Sequence, residues 1–169
     1  MIRFRNIVTA FLTNGDDFLL MERTNTKKLY PGYWAGVGGH IEPHEINDPR
    51  TACIREIYEE TGIKEGQIVD LKLRYIVLRR SKNETVINYM YFGKSLTREV
   101  TKSDEGNLYW INRNDILNHL YLDVIRLTLA HYLEFGEKTN DILVGVTNID
   151  ENNECRLNWN VLKDMENLL

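Results

Sequence analysis

The chain has 169 residues, 43% of them hydrophobic and 27% charged, which fits a globular protein with a sizeable core. The formal net charge of −4 argues against a broad grip on nucleic acid, which requires many basic side chains, but allows a small phosphate-bearing substrate. No apolar run approaches the roughly 18 residues that span a bilayer, and the first dozen residues lack the pattern of a signal peptide. We therefore expect neither a membrane protein nor a nucleic-acid-binding one.

The positions of the cysteines and the absence of a linker-like segment support two further expectations, free thiols and a single domain. Cys53 and Cys155 lie too far apart in sequence to form a closely spaced metal pair, and we expect free thiols in a reducing cytoplasm. No repeat, low-complexity segment or Pro/Gly/Ser-rich linker interrupts the chain. Residues 1–169 are therefore expected to form one domain.

The amino-terminal part predicts a hairpin, a loop and a helix. Residues 6–12 are predicted to form a buried strand, and the Asn-Gly pair at 14–15 a turn into a second strand, "FLLMER". Residues 25–40, rich in glycine, proline and aromatics, are predicted to form a loop. A helix is predicted over 49–61, because Asp48 suits the N-cap and a proline follows it.

The remaining chain predicts further hairpins separated by helices. Five more strands are predicted: 71–80, 85–95, 108–111, "ILVGVTNID" and "CRLNWNV". A short helix capped by Asn112 or Asn114 is predicted to end at Leu120, and a longer one to run from about 122 to 135 before Gly136. Paired strands with helices between them predict the α/β (α+β) class, with a mixed β-sheet sandwiched between α-helices.

The helix at 49–61 concentrates like charge. At about 100° per residue, Glu56, Glu59 and Glu60 fall within one arc. The apolar side chains are expected on roughly the opposite arc: Cys53, Ile54, Ile57 and Tyr58. The carboxylates repel by a few tenths of a kcal/mol per pair, a cost that a bound divalent cation removes. From these residues alone, a solvated acidic face with an Arg55–Glu59 ion pair is the commoner explanation.

The residues around this helix change that balance. The spacing resembles the Nudix box, the family pattern GxxxxxE, seven residues, REUxEExGU, where U is a bulky aliphatic. The matching positions are Gly39, Glu45, Arg55, Glu56, Ile57, Glu59, Glu60, Gly62 and Ile63. The segments "PGYWAGVGGHIEP" and "SDEGNLYWI" extend the resemblance over residues 5 to about 120. The resemblance implies a Nudix fold, with the box at about 39–63.

One departure from the family pattern lies inside the box. Nine residues separate Glu45 from Arg55, where the family has seven, and His44 stands where many members have glycine. We expect the two additional residues within "INDP", before the helix, so that the spacing of the carboxylates is unchanged. The path of the loop, and the contact between Glu45 and Arg55 that braces it in the family, are left open.

The resemblance also implies a chemistry and a set of site residues. Nudix enzymes hydrolyse a diphosphate linked to another group, which implies a nucleotide substrate and Mg²⁺ as cofactor, with Mn²⁺ able to substitute. Glu56, Glu59 and Glu60 are implied as metal ligands, together with the carbonyl oxygen of Gly38. Arg55 is implied to orient the carboxylates by hydrogen bonding.

Five further positions are candidates with alternatives. Glu105 is a candidate metal ligand or general base, or a turn residue, and Glu59 is another candidate base. Arg23 could contact substrate phosphate or be a surface charge. Gly39 would allow phosphate or metal to approach closely, or make an ordinary turn. Tyr33 and Trp34 could stack on a base or pack in the core.

The leading hypothesis is therefore a Mg²⁺-dependent hydrolase of a nucleoside triphosphate or related derivative, including oxidised deoxynucleotides. The same family resemblance also fits hydrolysis of nucleotide sugars, dinucleoside polyphosphates or RNA 5′ ends. Hypotheses of another class are a catalytically silent nucleotide-binding module and a structural domain with an acidic helix. A homodimer is left open, since dimers are common among similar proteins.

Overall fold

The computed structural model describes residues 1–24, 30–101 and 104–168. Within these ranges the strands are β1 (Arg3–Asn14), β2 (Asp17–Arg23), β3 (Trp34–Ala35), β4 (Ile68–Ser81), β5 (Glu84–Ser95), β6 (Gly106–Asn112), β7 (Leu143–Ile149) and β8 (Cys155–Val161). The α-helices are α1 (Pro49–Thr61) and α2 (Asp123–Glu134). No helix in these ranges is long and apolar enough to cross a membrane.

The strands form one mixed sheet of order β3-β2-β1-β5-β4-β7-β8, with β6 paired to β2. The β1–β5 and β4–β7 pairs are parallel, and the other pairs are antiparallel. Side chains alternate along a strand, so β1 contributes to two cores. Val8 and Ala10 pack in the cluster that includes Ile57 of α1, whereas Phe11 packs in the cluster that includes Leu129 of α2. The predicted sheet between helices is confirmed.

Helix α1 has the predicted bounds, and local interactions explain both ends. Asp48 accepts hydrogen bonds from the Thr51 amide at 3.2 Å and the Thr51 hydroxyl at 2.7 Å, which caps the amino terminus. Gly62 adopts a left-handed φ of 76°, and its amide donates to the Tyr58 carbonyl at 2.8 Å. A glycine at this position closes the helix without a Cβ penalty.

One predicted loop and one predicted short helix were wrong. The loop predicted at 25–40 contains strand β3, while residues 25–29 lie outside the described residues. The short helix predicted to reach Leu120 is only a 3-10 turn at Ile116–Asn118. The chain extends after this turn because the Trp34 amide donates to the Leu120 carbonyl at 2.7 Å, which draws residues 119–121 alongside β3.

A separation of two strands positions the candidate site. β1 and β2 pair directly only near their turn, from Leu12–Leu19 to Asn14–Asp17. Farther from the turn, the segment 36–41 replaces β2 beside β1: the Ala10 amide donates to Val37 at 2.7 Å and the Val8 amide to Gly39 at 2.9 Å. This segment lies between β1 and the carboxylate-bearing side of α1.

Candidate functional site

Arg55 lies at the centre of the carboxylate cluster on α1. Its Nε and Nη2 each donate at 2.9 Å to an oxygen of Glu45, and its Nη1 donates to Glu56 and Glu59, also at 2.9 Å. Nη2 additionally donates to the His40 carbonyl at 3.0 Å. The bidentate pair with Arg55 lowers the pKa of Glu45 to about 2, and the same hydrogen bonds raise the pKa of Arg55.

The longer loop does not separate Glu45 from Arg55. Glu45 ends a 3-10 turn at Pro43–Glu45, and its carbonyl accepts from the Asp48 amide at 2.8 Å. The extra residues are absorbed between that turn and the helix cap, where Ile46 is exposed. The contact that the sequence left open is therefore present.

The predicted division of α1 into an acidic and an apolar side was wrong in detail. Tyr58, expected to be buried, is 53% exposed, and Ile54 is only partly buried. Glu60, expected on the open face, is only 8% exposed. The reason is that α1 is covered on two adjoining flanks, by the sheet and by segment 36–41, so the buried arc includes Glu60 and most of Glu56.

Burial gives Glu60 an unusual proton affinity. The Gly38 amide donates to its Oε2 at 2.7 Å, yet burial raises the pKa of Glu60 to about 8. Glu56 and Glu105 raise this pKa further, whereas the positive charge of Arg23 lowers it. Burial also raises the pKa of Glu56. Clustered acids with raised pKa values are typical of functional sites.

The two glycines of segment 36–41 allow this close approach. A Cβ on Gly39 would lie 2.5 to 2.6 Å from the carboxylate atoms of Glu56. Gly38 has a φ of 153°, and a Cβ there would overlap the carbonyl oxygen of Val8. Gly38 therefore requires glycine for the backbone to fit beside β1, whereas a larger residue at Gly39 would have to displace the Glu56 carboxylate.

The donor set fits a divalent cation. In the described ranges, no three His, Cys, Asp or Glu side chains already converge as a metal site. Glu59 is turned towards Arg55, and Glu60 towards the Gly38 amide. The three carboxylates nevertheless lie on one and a half turns of helix. A hard cation bound there would stabilise their ionised forms and so offset the burial and repulsion that raise the pKa of Glu60.

A cavity of about 260 Å³ opens beside the carboxylates. Of the predicted site residues, those that border it are Arg23, Gly38, Gly39 and Glu60. Glu105 is held next to this group, because the Thr24 amide donates to its carbonyl at 3.3 Å and Arg23 pairs with Gly106. The other predicted residues on α1 do not border the cavity, because segment 36–41 separates it from Arg55, Glu56 and Glu59. The structure thus brings the predicted residues to one end of the cavity.

Aromatic side chains form one wall of the cavity. Tyr33 and Trp34 both border it, as does Tyr30, whose ring centroid lies 5.6 Å from that of Tyr33. Trp34 stacks on His119 with centroids 4.1 Å apart and also packs against the α2-side core. Trp34 therefore has the packing role that the sequence suggested, and it also faces the space where a base could lie.

The floor of the cavity was not identified from the sequence. Its residues come from β1, β5 and β4, and the polar ones are Arg5, Thr9, Asn88 and Arg79. The Thr9 hydroxyl donates to Asn88 Oδ1 at 3.1 Å, although the two residues are 79 positions apart in the chain. The available signal was a polar residue at an inward-facing position of a predicted strand, which is unusual unless the residue is paired or functional.

Comparisons with known proteins identify the family of the chain. The NUDIX domain family model matches residues 3–131. The nucleoside triphosphatase NudI of Klebsiella pneumoniae (strain 342) is 29% identical over 144 residues, which are 76% of this chain and 96% of that protein. The asymmetrical bis(5′-nucleosyl)-tetraphosphatase of Rattus norvegicus is 31% identical over 109 residues, 61% of this chain and 71% of that protein.

A solved structure shows the same fold. The MutT protein from Bacillus halodurans superposes with a TM-score of 0.69, covers 93% of this chain and 97% of its own, and is 20% identical. The family model covers most of the chain, and the matched region contains the complete box. The chain therefore belongs to the Nudix family of pyrophosphohydrolases.

Proposed function

We propose that this chain is a Mg²⁺-dependent hydrolase that cleaves a diphosphate bond in a nucleoside triphosphate or a related nucleoside diphosphate derivative. The observation that carries the proposal is the continuity between the carboxylates of α1 and a cavity lined by aromatic and basic side chains. Glu60 belongs to both, and the glycines at 38 and 39 let the backbone between them lie close to the carboxylates.

Each residue has a role that follows from its position. Glu56, Glu59 and Glu60 would hold the cation, with the Gly38 carbonyl as a further ligand. When bound, Mg²⁺, or Mn²⁺ in its place, neutralises phosphate charge and lowers the pKa of a coordinated water. Arg55 keeps the carboxylates in place through its hydrogen bonds.

The remaining groups act on the substrate and on protons. Arg23 borders the cavity close enough to Glu60 to lower its pKa, which supports a role in binding substrate phosphate. Gly39 has no side chain that would displace the Glu56 carboxylate, so a phosphate bound to the cation there could approach the backbone closely. Glu105 and Glu59 are the two candidates for the general base, and their separate replacement distinguishes them by the larger loss in kcat.

The relatives support nucleoside triphosphates as the first substrate class and dinucleoside polyphosphates as the second, by the names that they carry. Oxidised deoxynucleotides remain part of the first proposal, and nucleotide sugars or RNA 5′ ends are less favoured alternatives. We also retain a cytoplasmic location and a homodimer as predictions. A catalytically silent nucleotide-binding module would have the same fold.

A nucleotide panel with and without Mg²⁺ tests the proposal. We expect phosphate or pyrophosphate release that EDTA abolishes, with losses on the order of 10²- to 10³-fold for Glu59→Gln and Glu60→Gln. Glu65→Gln is the matched control, because Glu65 lies beyond α1 in an exposed ion pair with Arg50. Absence of turnover for every nucleotide, with both variants behaving like the parent, would refute the proposal. Nucleotide binding without turnover would indicate the silent module.

A further inference from the structure

Two arginines lie in one row across the floor of the cavity, at the end away from α1. Arg5 of β1 is paired with Val86 of β5, and Val86 with Arg79 of β4. Directly paired residues share one side of a sheet, and all three border the cavity. Two strand spacings put the arginine Cα atoms about 10 Å apart, with a small apolar side chain between them.

Neither guanidinium is fully paired within the protein. The Nε of Arg5 is buried and has no hydrogen-bond partner among the described residues. The nearest carboxylate oxygen, Oε2 of Glu84, lies 3.7 Å from it, and the Glu84 side chain is 42% exposed. Arg79 likewise forms no ion pair within 4.0 Å with any residue that the structure describes. A buried donor without an acceptor is costly, so an anion that accepts from this Nε would be bound favourably here.

The spacing of the charges indicates the kind of anion. Two guanidiniums on either side of one space match a phosphate dianion, whose three free oxygens can accept from both, whereas a carboxylate is saturated by one bidentate arginine. Because both arginines line the cavity, such a group would reach them from the cavity itself.

The distance between the two ends indicates what carries this phosphate. The Gly39 carbonyl accepts a hydrogen bond from the Val8 amide, so Gly39 marks the acidic end beside Val8. Arg5 lies three residues before Val8 on β1. At about 3.3 Å per residue, the two ends are about 10 Å apart along the strand, a length that a ribose and the phosphates attached to it can span. Between them lies the row of Ile7, Asn88 and Val77, which leaves a mostly apolar surface under the sugar.

We propose that Arg5 and Arg79 form a second phosphate subsite, and that the preferred substrates are nucleoside diphosphate derivatives that carry another phosphate on the ribose. The placement of the reacting diphosphate at α1 rests on the proposed function. The subsite itself rests on the arginine row and on the unpartnered Nε of Arg5.

Binding of non-hydrolysable mononucleotides tests the subsite independently of turnover. AMP, adenosine 2′,5′-bisphosphate and adenosine 3′,5′-bisphosphate are titrated into the full chain by calorimetry at fixed Mg²⁺. We expect at least one bisphosphate to bind ten-fold or more tightly than AMP, and the one that does identifies the ribose position. In the Arg5→Gln/Arg79→Gln double variant the preference should disappear while AMP affinity is retained, which also shows that the variant is folded.

A matched variant separates this effect from general charge. Arg80→Gln removes an exposed arginine that directly follows Arg79 and is directed to the opposite side of β4, so it should keep the preference of the parent. Equal binding of AMP and both bisphosphates by the parent would overturn the subsite, and would assign Arg5 to its loose pair with Glu84. A preference that survives in the double variant would overturn it as well.

Hydrolysis of substrates that differ by one phosphate gives the second readout. Coenzyme A is compared with dephospho-coenzyme A, and NADPH with NADH, and the preference for the phosphorylated member should lie mainly in KM. If nucleotides are hydrolysed without such a preference and the bisphosphates bind no better than AMP, the subsite fails and the proposed function stands. If the bisphosphates bind tightly but no diphosphate is cleaved, the proposed function fails and the subsite stands.

Discussion

The two ends of the cavity are built in opposite ways. At the acidic end, Arg55 donates hydrogen bonds to Glu45, Glu56, Glu59 and a backbone carbonyl, so these carboxylates have a hydrogen-bond partner before any ligand arrives. At the basic end, the buried Nε of Arg5 has no acceptor among the described residues. We therefore expect the acidic end to contribute to the stability of the fold, and the basic end to gain a close partner when a ligand binds.

Removal of the central cation should have the largest effect on stability. Arg55→Gln leaves the buried carboxylate of Glu45 without its bidentate partner, which we expect to lower the free energy of unfolding by about 3 kcal/mol. Arg50→Gln is the control on the same helix, because its pair with Glu65 is exposed and should contribute less than about 1 kcal/mol. Urea unfolding of both variants measures the difference, and similar losses would contradict the bracing role.

A methyl group placed between the glycine segment and α1 should damage activity more than stability. In Gly39→Ala, the new Cβ overlaps the carboxylate of Glu56, which can swing away because it is the end of a flexible side chain. We expect kcat/KM to fall on the order of 100-fold, with a small change in melting temperature. Gly66→Ala is the control, since nothing lies within 4 Å of its Cβ position. Unchanged activity in Gly39→Ala would place Glu56 outside the metal site.

The raised pKa of Glu60 predicts a pH dependence of the metal-free protein. Folding raises this pKa from 4.5 to about 8, so the folded state holds a proton that the unfolded state releases. The resulting stabilisation is complete below pH 4.5 and is lost as the pH rises through about 8. Between pH 6 and 7 we expect a loss of about 1 kcal/mol, below the limit of about 1.4 kcal/mol per unit for one proton.

Urea unfolding in EDTA measures this slope, and Glu60→Gln isolates the contribution of one carboxyl group. The glutamine of the variant has no carboxyl proton to release, so the stability of the variant should change less between pH 6 and 7 than that of the parent. Mg²⁺ should stabilise the parent more at pH 8 than at pH 6, because it favours the ionised carboxylate. Parallel pH profiles for parent and variant would show that Glu60 is not the titrating group.

The acidic end was predictable from the sequence, because its information is local. The carboxylates are three and four residues apart on one helix whose caps, Asp48 and Gly62, can be recognised from residue type alone. The contact between Glu45 and Arg55 was left open because two additional residues separate them, and only the folded loop shows where these residues go. The predicted helix and hairpins follow from the same kind of local pattern.

The basic end was not predictable, because its residues meet only through strand register. Arg5 and Arg79 are 74 positions apart in the chain and become neighbours through Val86, and no local pattern fixes which residues of three strands share a row. The burial of Glu60 was missed for a related reason: segment 36–41 covers α1 from a side that helical periodicity does not describe.

Removal of the basic charge should have the smallest effect on stability. Arg5→Gln deletes a cation whose buried Nε has no acceptor, so the lost attraction to Glu84 and the relieved desolvation should nearly cancel. We expect the free energy of unfolding to change by less than about 0.5 kcal/mol, against the much larger loss in Arg55→Gln. Urea unfolding without nucleotide, repeated for Glu84→Gln, measures this. A loss in both variants that approaches the Arg55→Gln value would show that Arg5 is braced within the fold, and the contrast between the two ends would then be wrong.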